Sequence, residues 1–229
     1  MNVDAVILAR GGSKGIPRKN LLPFLGIPLV ELSIRQALHS NLVRNIYLSS
    51  DSDEILSLAD GYDVKKIKRP DIFATDTARS EDAVIDLLKK DLSINTPELI
   101  VLFEPTAPLR RLGDIDNAIT QFEKEKADSM FSGAYLEDFL LWKRSENGIL
   151  NSVNYDYKVQ GPRQHREPDI VENGALYLFT PNSLIKNSNR FGGKISHYEN
   201  DFWQSFEIDS PNDWPFVELI YKTYINYFY

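Results

Sequence analysis

Short apolar runs alternate with amphipathic segments along most of the chain. Unbroken apolar runs bounded by turn residues predict buried strands, and apolar residues at helical spacing predict helices. Strands are predicted at 3–9, 46–48, 64–67, 99–103, 129–134, 175–179 and 206–209. Helices are predicted at 29–38, 53–59 and 114–123, from Ser80 onward, and after Ser210 and Pro211, which would be the N-cap and the first helical residue.

This alternation predicts an α/β fold with a Rossmann-like, mostly parallel sheet flanked by helices. The length of 229 residues fits one domain, residues 1–229. Ligands of such sheets bind beyond the carboxyl ends of the strands. Polar and charged residues cluster after three predicted strands, at 10–19, 49–51 and 104–110, so we expect the site there.

A polar, irregular stretch interrupts the pattern between residues 135 and 173. Long loops in compact domains usually carry function or are disordered. The stretch is either a surface excursion or, as we predict for residues 135–170, a lid or a dimerisation arm.

Composition excludes several classes of protein. The chain has 26 Lys and Arg against 33 Asp and Glu, a net charge of −7, which disfavours nucleic acid as a partner. It has no cysteine, so thiolate metal sites and cysteine nucleophiles are excluded. The longest early apolar run, 5–9, is far shorter than the ~20 residues of a membrane span. We therefore expect no membrane contact and a cytoplasmic location.

A basic, glycine-rich loop follows the first predicted strand. No Asp or Glu occurs from Ala5 to Val30, and the loop contains Arg10, Gly11, Gly12, Ser13, Lys14, Gly15, Arg18, Lys19 and Asn20. Backbone amides freed by glycine, together with cations, suit a polyphosphate. The order Ser13-Lys14-Gly15 is not that of a P-loop, and the glycine spacing is not G-x-G-x-x-G. The remaining interpretation is the loop of a nucleotidyltransferase.

Residues 7–20 resemble the signature of the acylneuraminate cytidylyltransferases, the family of CMP-sialic acid synthetases. The resemblance continues at 68–70, 74–78, 105–110, 173–177 and 208–214, in the order of the family. It implies a reaction in which the anomeric hydroxyl of a 2-keto sugar acid attacks the α-phosphorus of CTP and releases pyrophosphate. It also implies a homodimer in which an arm from each subunit reaches the active site of the other.

The resemblance assigns roles to individual residues. Arg10, Lys14 and Lys19 would hold the triphosphate and act in catalysis, because nucleotidyl transfer depends on positioning and electrostatics. The nucleotide pocket would be completed by Gly11, Gly12, Ser13, Asn20, Arg69 and Ser80. Glu207 and Asp209 would bind Mg²⁺, which prefers carboxylate oxygens. Contacts to the sugar acid are expected from Glu104, Lys143, Arg163, Gln164 and Tyr177.

Two residues depart from the family pattern. Glu104 stands where the family usually has Gln, and Glu207 stands where it has Asp. A carboxylate at Glu104 would repel the carboxylate of the substrate unless it faced a metal, an amino group or another cation. The alternatives are a nucleotidyltransferase for another base or a sugar 1-phosphate, and a nucleotide-binding homologue without catalysis.

Overall fold

The computed structural model describes residues 1–90, 96–136, 139–159 and 168–228. The strands are β1 Val3–Leu8, β2 Pro23–Phe24, β3 Ile27–Pro28, β4 Val43–Ser50, β5 Lys65–Lys68, β6 Leu99–Phe103, β7 Ser129–Leu136, β8 Trp142–Arg144, β9 Leu150–Ser152, β10 Asp169–Phe179 and β11 Ile195–Glu199. The helices are α1 Leu29–Leu38, α2 Asp53–Ser57, α3 Ser80–Lys90, α4 Asp114–Glu125, α5 Pro181–Asn187 and α6 Asp213–Thr223. Within these ranges, no helix is both long enough and apolar enough to cross a membrane.

A seven-stranded sheet organises the fold, in the order β11-β7-β10-β6-β1-β4-β5. The pairs β1–β4, β1–β6, β4–β5 and β7–β11 are parallel, whereas β10 is antiparallel to both of its neighbours. The chain builds outward from β1 to β4 and β5, and then returns to add β6 on the other side of β1. The direction of winding therefore reverses between β1 and β6, where sheets of this type bind ligands. The expected α/β class is confirmed.

Alternate residues of the strands pack against helices on opposite faces of the sheet. Ala5 and Ile7 of β1 face α1 and α4, where Ile34 and Phe122 are buried. Val6, between them, faces the cluster on α3 and α5. Because both faces are covered, the inner strands are apolar at nearly every position, which is why β6 is one unbroken apolar run.

A third apolar cluster anchors the C-terminal helix beside the β2–β3 hairpin. Val217 and Tyr221 of α6 pack with Phe24 of β2 and with Ile208. The rings of Phe24 and Tyr221 meet edge to face, with centroids 5.4 Å apart. This packing holds the segment before α6 against the loop that follows β1.

The predicted strand at 206–209 is wrong, and α6 begins later than predicted. Residues 206–209 are extended, but Ile208 donates one backbone hydrogen bond, to the carbonyl of Thr106 at 2.8 Å, and its own carbonyl accepts from the Lys19 ammonium. A side chain thus takes the place of a neighbouring strand. The Asp213 carboxylate accepts from the amides of Asp209 and Ser210, so the chain turns there and the helix begins at Asp213.

The stretch 135–173 is more regular than predicted. Strand β7 continues to Leu136 and β10 begins at Asp169, where Tyr135 pairs with Ile170. The β8–β9 hairpin lies between them, with Trp142 opposite Ser152. The predicted strand at 175–179 is thus the second half of β10, which has a register shift between Glu172 and Tyr177.

Candidate active site

A cavity of about 360 Å³ lies beyond the carboxyl ends of the parallel strands. Its walls include Arg10 after β1, Arg69 after β5 and Glu104 after β6, on both sides of the point where the winding reverses. Other wall residues include Ser13, Lys19, Asn20, Asp76, Ser80, Thr106, Glu207 and Asp209. The position predicted from the strand ends is where the structure has its cavity.

The glycine loop is held against two other parts of the chain. The Gly11 amide donates to the Asp51 carboxylate at 2.8 Å, which ties the loop to the end of β4. A Cβ atom on Gly15 would lie 2.2 Å from the carbonyl oxygen of Asp209, so no larger residue fits there without moving the backbone. Glycine at position 15 is therefore required for the close approach of residues 208–209.

The three predicted phosphate-binding cations, Arg10, Lys14 and Lys19, are each paired with groups of the chain itself. Arg10 and Lys14 both pair with the Asp76 carboxylate, at 2.8 and 2.9 Å. Lys14 is largely exposed at the rim, and neither it nor Gly11 nor Gly12 is a wall residue. Lys19 is buried; its ammonium donates to the Ile208 carbonyl at 2.7 Å and to Asp209 at 3.0 Å.

Buried polar atoms without partners line the same cavity. Arg69 is 7% exposed, and within the described residues neither its Nε nor its Nη2 has a hydrogen-bond partner. Burial lowers the pKa of Arg69. Asn20 donates to the Arg10 carbonyl at 3.0 Å, while its Oδ1 has no partner in this part of the chain. Unpaired buried groups are costly, so these atoms are candidates for contact with a polar ligand.

Carboxylates also line the cavity, among them Glu104, Glu207 and Asp209. Glu207 accepts a hydrogen bond from Thr106 at 3.2 Å and packs against Gly174, whose φ is +61° and whose added Cβ would meet the carboxylate at 2.7 Å. Burial raises the pKa of Glu207 to about 7, and the neighbouring charges of Glu104 and Asp209 add to the shift. Among the described residues, no group of three or more His, Asp or Glu side chains is arranged to hold a metal ion.

Glu104 faces a cation, as a carboxylate at this position was expected to require. Its Oε1 accepts from Arg190 at 3.1 Å. Its backbone carbonyl accepts from Arg110 at 2.5 Å. Arg110 is fully buried, donates also to the carbonyl of Ala175, and has a pKa lowered to about 10 by burial. The end of β6 is thus held from two directions.

The predicted sugar contacts are not brought together in the described residues. Lys143 lies on the exposed β8–β9 hairpin and is not a wall residue. Tyr177 lies on β10, buried, and its hydroxyl donates to Glu172. Arg163 and Gln164 fall outside the described residues. Among the members of that set that the structure describes, Glu104 alone lines the cavity.

Sequence reasoning missed Arg190, Glu81 and the role of Asp76. Arg190 follows α5 in a loop that carries no recognisable motif. Glu81 is an acidic residue in the first turn of α3, and such residues are common there for reasons unrelated to a site. Asp76 lies in a motif that we quoted, but nothing in the sequence indicated that it would pair with the loop cations.

The fold and the candidate site define an α/β protein with a cavity, lined by cations and carboxylates, at the carboxyl ends of its parallel strands. A family profile described as "Cytidylyltransferase" matches residues 5–160. The chain belongs to the cytidylyltransferase family.

Relatives with assigned names support this membership. CMP-N,N'-diacetyllegionaminic acid synthase of Legionella pneumophila is 31% identical over 96% of both chains. N-acylneuraminate cytidylyltransferase A of Danio rerio is 31% identical over 95% of this chain and 50% of its own length. This chain therefore spans about half the length of that relative. The structure of CMP:2-keto-3-deoxy-manno-octonic acid synthetase complexed with CTP has a TM-score of 0.71 at 14% identity, covering 97% of this chain and 99% of that one, and shows the same fold.

Proposed function

We propose that the protein transfers CMP from CTP to the anomeric hydroxyl of a 2-keto-3-deoxy sugar acid and releases pyrophosphate. The observation that carries the proposal is a single cavity that is lined by both cations and carboxylates. Arg10, Lys19 and Arg69 line it together with Glu104, Glu207 and Asp209. The cations suit a triphosphate, and the names of the relatives indicate the class of the second substrate.

The chain's own residues would position the triphosphate. Lys19 is fixed by the Ile208 carbonyl, and the unpaired nitrogens of Arg69 offer donors that need no rearrangement. Arg10 and Lys14 would leave Asp76 and turn to phosphate oxygens. Gly11, Gly12 and Ser13 would add backbone contacts, and Asn20 and Ser80 would contact the nucleotide. Preorganised cations stabilise the charge that develops in the transition state.

We propose that Mg²⁺ is the cofactor, held by Asp209 and Glu207. Both carboxylates line the cavity, and the pKa of Glu207 is raised first by burial and then by the nearby charges of Glu104 and Asp209, which a cation would offset. Mg²⁺ commonly binds through one or two carboxylates together with substrate phosphates, so a set of two is compatible with it. When bound, it would neutralise charge on the phosphates of CTP.

We also propose that residues 1–229 form one nucleotidyltransferase domain and that residues 135–170 serve as a dimerisation arm. Large apolar side chains on and beside the β8–β9 hairpin are exposed, among them Leu140, Leu141, Trp142 and Leu150. Exposed apolar patches commonly mark association sites. A second copy of the chain is the partner that we propose, and the arm would bring Lys143, Arg163 and Gln164 to the sugar side of the partner's cavity.

We place the protein in the cytoplasm. The chain has no cysteine, which is compatible with a reducing compartment. Fractionation of the source cells with an antibody against the protein tests this, and recovery in the membrane fraction would contradict it.

The test is pyrophosphate release from CTP and Mg²⁺ with a panel of 2-keto sugar acids, run beside UTP, ATP and GTP. We expect release with CTP and at least one acid, lost in Lys14→Ala and Arg69→Met. Arg35→Met is the control, because Arg35 forms an exposed ion pair within α1. Release with another nucleotide would favour a different base. Binding of CTP without release, with every acid, would favour a homologue without catalysis.

A further inference from the structure

The carboxylates that line the cavity would repel the sugar acid that we propose as the substrate. A sugar acid brings its own carboxylate to a cavity lined by Glu104, Glu207 and Asp209. Like charges at close range disfavour binding. The cations that line the cavity are already assigned to the triphosphate in the proposed function, so they would not offset this repulsion. If the proposed function holds, Mg²⁺ would offset the charges of Asp209 and Glu207, so Glu104 is the carboxylate that needs a compensating cation of the chain.

Arg190 provides a compensating positive charge next to Glu104. Its Nη1 donates to Oε1 of Glu104 at 3.1 Å, and its Nε donates to Oε1 of Glu81 at 2.8 Å. The guanidinium carbon lies 4.1 Å from the centre of the Tyr177 ring. The side chain is 13% exposed. Two carboxylates and one aromatic face thus fix the guanidinium in a single place.

The charges around Arg190 balance. Arg79 lies 3.7 Å from the second oxygen of Glu81, so two cations stand against two carboxylates. Without Arg190, Glu104 would keep its negative charge beside Glu207 and Asp209. An ion pair deprived of one partner leaves a poorly solvated charge, which is strongly unfavourable.

We propose that Arg190 is a positioning residue for the sugar acid, which acts by holding and neutralising Glu104. This inference rests on the proposed function and adds to it the way in which an acidic substrate is admitted. A substrate carboxylate would meet a pair with no net charge. Glu104 would still offer an acceptor to a hydroxyl or an amide N–H of the sugar. Tyr177 contributes through its ring, on which Arg190 lies, since its hydroxyl is engaged by Glu172.

The test is a double-mutant cycle on Arg190→Met and Glu104→Gln, read as KM for the sugar acid and KM for CTP. Arg190→Met should raise KM for the sugar acid by about tenfold, with KM for CTP changed by less than about twofold. Adding Glu104→Gln should lower KM for the sugar acid again, because the unpaired carboxylate is gone. Arg190→Lys keeps the charge without the fork and should show a smaller increase. Lys186→Met, an exposed cation on α5, is the control.

The outcomes separate this inference from the proposed function. If the wild-type protein releases pyrophosphate with a sugar acid but the double variant is no better than Arg190→Met, the inference is wrong and the function stands. A parallel rise in KM for CTP would also overturn it, because it would indicate a general loss of structure. If the wild-type protein is silent with every acid, the proposed function fails first and the inference with it.

Discussion

The ammonium of Lys19 and the carboxylate of Asp209 form an ion pair of 3.0 Å, although the two residues lie near opposite ends of the chain. The lysine is buried and the aspartate is largely exposed. A residue proposed for the triphosphate is thereby tied to a residue proposed for the metal. The proposed triphosphate-binding loop and the 206–209 segment meet at this ion pair. A change at Lys19 or Asp209 should therefore affect the binding of both the triphosphate and the metal.

Replacing Lys19 should therefore reduce activity far more than replacing an exposed cation outside the loop. In Lys19→Met the triphosphate loses a charge and the Ile208 carbonyl loses its donor. We expect kcat/KM for CTP to fall about 100-fold, as for the loss of one preorganised donor. Steady-state pyrophosphate release measures this value of kcat/KM. The control is Lys66→Met, because Lys66 is an exposed residue of β5 that pairs with Asp60. Equal losses in the two variants would contradict the role of Lys19.

Asp76 should compete with CTP for the loop cations. Hydrogen bonds and charge from Lys14 and Arg10 hold the pKa of its carboxyl below the usual value, so it stays ionised at neutral pH. Asp76→Asn should lower KM for CTP by about threefold in low salt and by less in high salt, because exposed ion pairs are weak and screened. Asp60→Asn, which removes an exposed partner of Lys66, should leave it unchanged. A higher KM in Asp76→Asn would mean that the bound state needs this carboxylate.

Glu207 should make the stability of the metal-free protein depend on pH. Its pKa is raised from 4.5 to about 7, so the fold favours the neutral carboxyl. The stability that this provides is complete below pH 4.5 and is lost as the pH rises through 7. Relative to wild type, Glu207→Gln should therefore gain about 3 kcal/mol of unfolding free energy between pH 4.5 and 8.

Urea unfolding in the presence of a chelator at several pH values measures this gain. Glu123→Gln, which changes an exposed carboxyl on α4, is the control. A constant difference between Glu207→Gln and wild type across the range would contradict the assignment.

Arg110 should be important for stability without touching either substrate. Its guanidinium joins the carbonyls of Glu104 and Ala175 to the side chain of Gln36. In Arg110→Met these groups lose a buried donor, and we expect the unfolding free energy to fall by about 3 kcal/mol. Arg35→Met, in an exposed pair, should change it by less than about 0.5 kcal/mol. Similar losses in the two variants, measured by chemical unfolding, would show that the buried network is not special.

The exposed hairpin should hold two chains together. Trp142 lies against the rings of Tyr155 and Tyr157 and leaves 45% of its surface exposed. Trp142→Glu would bury a charge in the proposed interface, so light scattering should show the wild type as a dimer and the variant as a monomer. Ile185→Glu, on the exposed face of α5, should remain a dimer. A monomeric wild type at working concentration would contradict the arm.

Local pattern was sufficient to predict most of the sheet and the position of the cavity. The apolar run of β6 and the helical spacing of α1 are patterns of residues that lie close together along the chain, so the sequence alone shows them. Parallel strands bring Arg10 and Glu104 to one edge of the sheet wherever the intervening chain goes. The segment 206–209 was misread because an apolar–polar alternation also occurs in an extended segment that packs without a strand partner.

The partners of the site residues could not be predicted in the same way. Arg190 reaches Glu104 across 86 positions, and Asp76 reaches Arg10 across 66. Such pairs are set by how loops cross the ends of the strands, which hydrophobic periodicity does not describe. Charged residues in loops are common, and only the folded chain distinguishes Arg190 from its exposed neighbours.

The contact between Gly15 and the carbonyl of Asp209 has a consequence for biosynthesis. Chains are made from the amino terminus at about 5–20 residues per second, so the loop after β1 leaves the ribosome many seconds before the segment that must pack against it. Until residue 209 has been synthesised, the loop lacks the backbone against which Gly15 packs, and Lys19 lacks both of its hydrogen-bond partners. The proposed nucleotide site would therefore be completed only late in synthesis, when the two ends of the chain meet.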